Sequence, residues 1–545
     1  NNLIDSNYMT IGNNFAFYCQ ADSNVIRNNM MRSFRSSNCV VFNGADTNLF
    51  VHNTIYDIGS EGANFGINIV ASQGNIFRDN LLDSVGSFGM QVAANNNLFD
   101  SNVVVKGLRH GFNCTGDSNT FTNNRVESNS YSGFALSGAD YNYFSGNTIR
   151  YNGYDGITLT SGLNNIMDSN VLDSNAQTGL NVASGGSAVF RYGRIVNHGL
   201  SGLTINGATA GVTVIQNDIA ANARYAADSY NVELFGATVS DTFTKNNFSA
   251  ADTRLVRNRA TAGASLSFQR NWWGTTDTAA FTSRIAGTAA DLVIRSPFRL
   301  GPVDTAAGAD TVAPKAPDTV AVTAIDSVTL EITWSPVTTN EETSSVAVNL
   351  NGYRVYRSPT PDTSYWSPRG QTAAGVTLFD DTGIAAGDTW YYRVTAFDNA
   401  APFVNESYYS DSICSGVTRV PSDTTPPDTF TLTGPANGTC TREICITYRW
   451  QDSHDTASPP VTYRLQLDTT GTFAYPVLST GWITDSFYTD TRSPNDTYWW
   501  RVIARDTSGN TRVSTDTWRV VIDTYGPTVP ALVSPIGGAA TTTPV

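Results

Sequence analysis

The sequence predicts an all-β chain, a parallel β-helix solenoid followed by two β-sandwiches, and three observations predict it. An Asn-centred pattern recurs about every 23 residues through the first 300 positions. Each repeat contains short apolar-alternating runs and no helical spacing. Beyond Phe298 that pattern stops, Pro, Ala and Thr rise, and strand-forming segments rich in Trp and Tyr take over.

The repeat is Asn-x-φ-x-x-Asn-x-φ, with φ apolar. Its second Asn falls at Asn7, Asn29, Asn53, Asn80, Asn102, Asn124, Asn147 and Asn170, and Gly193, Asn217, Asn246 and Asn271 continue it. A second column five places earlier holds Asn2, Asn24, Asn48, Asn75, Asn97, Asn119, Asn142 and Asn165. Apolar residues keep step on both sides: Phe77, Phe99, Phe121 and Phe144 three places before the Asn, Leu82, Val104, Val126 and Ile149 two places after. Later in the coil comes Gly-φ-x-φ, as in Gly111-Phe112-Asn113-Cys114 and Gly156-Ile157-Thr158-Leu159. Period-two alternation puts one face of each short strand inside. About 22 residues then make one turn of three strands, and coils stack at roughly 4.8 Å, like on like. The asparagines are expected to tolerate the left-handed backbone of tight corners and to ladder their amides between coils, a structural role. Cys114 falls on a core position.

These coils resemble the right-handed β-helix repeats of the NosD/pectate-lyase-like superfamily, over residues 1–300. The closing stretch from Asn271-Trp272-Trp273-Gly274 to Ser296-Pro297-Phe298 is similar to the end segment of many bacterial surface β-helices. The resemblance implies a fold and leaves the activity open, because that superfamily includes lyases, hydrolases, epimerases, adhesins and inert shafts.

A motif Asp-Thr-x-x-Pro occurs at Asp310, Asp423 and Asp523 and reads as stiff linkers between modules. The boundaries it suggests are a linker at 301–316, sandwiches at 317–421 and 428–523, and the start of a further module at 524–545. Segments such as Gly352-Tyr353-Arg354-Val355-Tyr356 and Asp496-Thr497-Tyr498-Trp499-Trp500 resemble fibronectin type III and immunoglobulin-like domains. That resemblance implies a tyrosine corner at Tyr498 and a departure from it at Trp390. Cys440 and Cys445, the one close cysteine pair, are expected to form a disulfide.

Bulk properties narrow the function. Only 15% of residues are charged and the net charge is −14, which argues against nucleic acid and anionic membranes as partners. No apolar run reaches the length of a transmembrane span. The chain starts inside a repeat, so further coils or a docked subunit are expected before Asn1. Four scattered histidines lack ligand spacing, so neither zinc nor the copper that the name NosD suggests is expected. Calcium is the one cofactor the sequence allows, at Asp506 and Asn510 or at Asp-x-Asn corners such as Asp22, Asp46, Asp117 and Asp140; plain turn chemistry accounts for each equally well.

Candidate chemistry lies just before the repeat Gly, where His110, Ser132 and Asp155 fall on successive coils. A hydrolytic triad is not expected, because Ser stands between His and Asp and two coils separate the outer pair. Arg109 joins His110 and Asp155 as the residues an enzyme would use, and Tyr131 and Tyr154 are the glycan-contact candidates. The expected function is an extracellular, cell-surface structural or adhesive protein. Its β-helix would serve as a rod or display surface meeting glycans or other surface proteins, with self-association through the uncapped end. The alternatives are a polysaccharide-active lyase, hydrolase or epimerase, with loops near Glu61, Arg224 and Asp228, and a non-catalytic glycan-binding module.

Overall fold

The computed structural model describes residues 2–10, 12, 14–34, 38–59, 64–207, 211–224, 228–235, 241–259, 266–342, 349–411, 413–417, 423–527 and 529. Glu61 and nearly all of the expected further module lie outside these residues.

Residues 3–294 wind into a three-sided solenoid of parallel sheets with 13, 11 and 12 strands. The first sheet opens with Leu3–Asp5, the second with Tyr8–Thr10 and the third with Phe17–Cys19. Register is strict, with Phe77 over Phe99, Phe121 and Phe144 in the first sheet and Phe112 over Phe134 in the third. Inside, the rings stack on their own kind at 4.6–5.0 Å and meet the other column edge to face. Cys114 is fully buried among them.

The asparagine columns are amide ladders. From Asn7 to Asn170, each Nδ2 donates to the Oδ1 of the next coil at 2.8–3.2 Å. From Asn29 on, each Nδ2 also donates to a backbone carbonyl of the coil before, as Asn124 does to Phe99. The corner itself corrects the sequence expectation by one residue. The left-handed position is the residue before each ladder Asn: Ser101, Asn123, Gly146 and Ser169 have φ of 54–65°. The Asn is free to turn its amide inward because its neighbour makes the bend. A third ladder, Asn129–Asn152–Asn175, runs between the second and third sheets and was not visible in the two-column pattern.

The far end of the solenoid is closed. Trp273 is fully buried and stacks on Phe248 at 4.8 Å and Phe281 at 5.5 Å. Phe281 sits on a short helix, Thr278–Thr282, capped by the Asp277 carboxylate. Phe298 then meets Tyr408 of the first sandwich at 5.2 Å, carrying the core across the junction.

Two β-sandwiches follow, the first of three- and four-stranded sheets, the second of three- and six-stranded sheets. Tyr498 donates to the Ser493 carbonyl at 3.5 Å, while Trp390 instead lies under Arg357 at 4.1 Å. Cys440 and Cys445 are free, exposed thiols on strands of different sheets, so the expected disulfide is not formed. Sequence proximity misled because the chain changes sheets between them. Among the described residues no helix is long and apolar enough to cross a membrane.

Candidate functional site

The outer face of the third sheet gathers most of the candidate residues. Asn68, Gln91, Asn113, Ala135, Thr158, Asn181 and Thr204 stand in one outward column, coil on coil. Asn113 Nδ2 donates to Gln91 Oε1 at 2.6 Å. Beside this column the turns carry a ladder of rings, Phe65–Phe88–His110–Tyr131–Tyr154, with centroids 4.9–5.5 Å apart. The repeat glycines make this close approach of turn and strand possible. A Cβ on Gly133 would lie 2.5 Å from Ile149 and 2.8 Å from the Gly156 carbonyl.

The ladder sets how the rings can be used. Tyr131 and Tyr154 are stacked nearly parallel, so each covers one face of the other, and Tyr131 also meets His110 edge to face. At 40% and 43% exposed they are the accessible members. They suit hydrogen bonding to a hydroxyl-rich ligand better than flat stacking.

His110, Ser132 and Asp155 are neighbours in space but not a relay. His110 Nδ1 accepts the Ser132 backbone N–H at 3.2 Å, which assigns the proton to Nε2 and leaves the ring only a donor. Burial, joined by the positive charge of Arg109, holds its pKa below the usual histidine value, so it is neutral at pH 7. Ser132 Oγ instead meets Thr158 Oγ1 at 3.0 Å. Asp155 accepts three bonds at 3.0 Å, from the Thr178 N–H, Thr158 Oγ1 and Asn181 Nδ2. Burial raises its pKa against the pull of those donors. The Ser132–Thr158–Asp155–Asn181 chain clamps successive coils. Arg109 is exposed beside it.

Two residues on this face escaped the sequence reading. The outward column continues from Thr204 to Glu233 and Arg257, a buried ion pair at 2.6 Å. Tyr230 covers it, donating its N–H to Glu233 and lying 5.0 Å from the Arg257 guanidinium. Asp228, from the long step flagged in the sequence, holds Arg257 at 2.7 Å and Arg259 at 3.3 Å. The insertion was the only signal, and of these five residues it named Asp228 alone. Arg224 contributes its backbone N–H to the His198 carbonyl.

The Asp-x-Asn corners prove to be inter-coil devices. Asp22, Asp46, Asp117 and Asp140 each accept a backbone N–H of the next coil at 2.8 Å. In the second sandwich, Asp506 takes the N–H and Nδ2 of Asn510 at 2.9 and 2.7 Å. Asn510 Nδ2 also donates to the Asp423 carbonyl at 3.1 Å, so its amide ties the linker down. Among the described residues, the carboxylate oxygens of Asp423, Asp455 and Asp506 converge within 4.8 Å of one another. This all-oxygen donor set is of the kind hard divalent cations take.

This chain is similar in part to known proteins. A relative, Exoglucanase B of Cellulomonas fimi, is 28% identical over 229 residues, 42% of this chain. The chain spans only 18% of that relative's length. The A-module of the Azotobacter vinelandii mannuronan C-5 epimerase is 16% identical with a TM-score of 0.35, over 56% of this chain and 91% of that one. A periplasmic alginate epimerase is 17% identical with a TM-score of 0.33, over 40% and 57%. Residues 101–252, the coils that carry His110, Tyr131, Tyr154 and Asp155, match the family described as right handed beta helix region.

Proposed function

We propose that this chain belongs to an extracellular or periplasmic polysaccharide-active protein whose β-helix engages a glycan along the outer face of the third sheet. The observation that carries this is the outward column from Asn68 to Thr204, an amide or hydroxyl on every coil but that of Ala135, running beside the Phe65–Tyr154 ring ladder. Stacked coils repeat a donor and acceptor at roughly 4.8 Å, and a linear glycan offers hydroxyls all along its length. The likeness to an exoglucanase supports the substrate class. On this reading Tyr131 and Tyr154 contact sugar through their hydroxyls, and His110 donates through Nε2. A rod or adhesin role is the second reading, favoured by the continuous core from the solenoid into the first sandwich.

The test is a panel of neutral and acidic polysaccharides, assayed for retention in affinity gels and for new chain ends by product mass. Binding is expected to fall about tenfold or more in a Tyr131→Ala, Tyr154→Ala double variant that keeps wild-type circular dichroism. New chain ends that vanish in His110→Ala would make the face an active site. No retention and no product on any polysaccharide overturns the proposal in favour of the rod.

A further inference from the structure

We propose that the second sheet carries a separate saccharide site, a groove at the closed end of the solenoid that takes a neutral oligosaccharide. The site is distinct from the third-sheet face and does not depend on it.

Strand alternation creates the groove. In the Asn271-Trp272-Trp273-Gly274 segment, Trp273 turns into the core, so Trp272 must turn out. The outward column it joins reads Arg194, Asp218, Asn247, Trp272 on four consecutive coils. The neighbouring outward column changes character at the same place. Glu127 and Arg150 stand in it on earlier coils and bond across it at 2.6 Å, filling the surface. Three coils beyond Arg150 the same column holds Ala220, and the surface falls away into a groove of about 430 Å³.

The walls are built rather than incidental. Pro302, on the segment leaving the solenoid, forms one side. Its successor Val303 is fixed by paired bonds with Asn247, N–H to Oδ1 and Nδ2 to carbonyl, both 2.8 Å. Asn247 Nδ2 also holds Asp218 Oδ1 at 2.9 Å. At the far end Gly274 has φ of +78°, and a Cβ there would lie 2.4 Å from the Ala250 nitrogen. A glycine is required for the chain to pass beneath Ala250.

The lining matches a sugar ring. A pyranose presents an apolar C–H face and a rim of hydroxyls. The Trp272 indole suits the first. Asp218 as acceptor and Arg194 as donor suit the second. Among the described residues Arg194 forms no ion pair, so its guanidinium keeps its donors for a ligand. One positive and one negative group cancel, which selects a neutral glycan over a polyanion. Four coils span about 15 Å, room for a short oligosaccharide.

The experiment is calorimetric titration of the intact chain with neutral β-linked glucan and mannan hexasaccharides, and with hexa-uronates as the acidic counterparts. Ala220→Arg refills the groove with the residue that coil geometry already accommodates at Arg150, and Trp272→Ala removes the platform. Both are expected to weaken neutral hexasaccharide binding about tenfold or more when measured in a Tyr131→Ala, Tyr154→Ala background, which removes the third-sheet contacts. The proposal fails if no neutral hexasaccharide binds, if hexa-uronates bind better, or if binding survives both groove variants. Loss of all binding in the tyrosine variant alone would leave the third-sheet face as the sole site.

Discussion

His198 stands where the third corner column otherwise carries asparagine, and it does the asparagine's work. Its Nδ1 accepts the Asn175 N–H at 3.1 Å, and its Nε2–H lies 3.1 Å from the Leu172 carbonyl. Burial pushes its pKa down to about 4, against the smaller pull of those bonds. The ring is therefore neutral when folded, whereas the unfolded chain binds a proton below about 6.5. Its contribution is fully present above pH 6.5 and is lost as pH falls toward 4, by about 3 kcal/mol in all. A His198→Asn variant should lose correspondingly less stability between pH 7 and pH 4 in urea melts; equal losses would count against this account. The same logic applies to a ladder asparagine. Asn124→Ala strips a donor and an acceptor from buried neighbours on both sides, and should cost about 3 kcal/mol.

At the scale of the element, stacked coils make every column a repeat of one environment. Phe121 touches rings on both neighbouring coils, at 4.8 Å to Phe99 and 4.7 Å to Phe144, and meets Phe112 and Phe134 edge-on. Phe121→Ala should therefore cost about 3–5 kcal/mol, read as a lowered denaturant midpoint with an unchanged slope. The columns were legible in the sequence because register repeats them, and Phe77 to Phe144 could be placed inside from spacing alone. The corner was legible only in part. Ser101, Asn123, Gly146 and Ser169 share a left-handed backbone but no side-chain chemistry, so composition concealed the position that bends. The third ladder was hidden for a similar reason, since His198 interrupts it and Gly107 stands where the preceding coil's amide would be, donating only its backbone N–H to Asn129.

For the whole molecule, polar contacts fasten the modules to one another. Lys245 of the solenoid and Arg299 just beyond it reach Glu342 of the first sandwich at 2.7 and 3.1 Å. Arg464 of the second sandwich is buried at the next junction, paired with Glu331 and Asp380 of the first and lying 4.4 Å from the Trp482 ring centroid. Removing one partner of such a group leaves charge uncompensated. Arg464→Ala should free the second sandwich while leaving its own core folded. Small-angle scattering would then show a longer, more variable particle; an unchanged profile would mean that other contacts hold the junction.

The sequence alone determined the all-β solenoid, its period, the inward columns, the two amide ladders and the modules beyond residue 300. These follow from alternation and repetition, which are local properties of the chain. The tertiary structure decided what the outward residues do. Whether His110 is a base or a donor depends on an N–H from the next coil. Whether Asn510 offers oxygen or amide depends on a linker carbonyl 87 residues away. Whether Trp272 faces a flat wall or a groove depends on Ala220, two coils before it, and on Pro302 beyond the solenoid. Contacts of that kind join residues far apart in the chain, and no spacing rule records them.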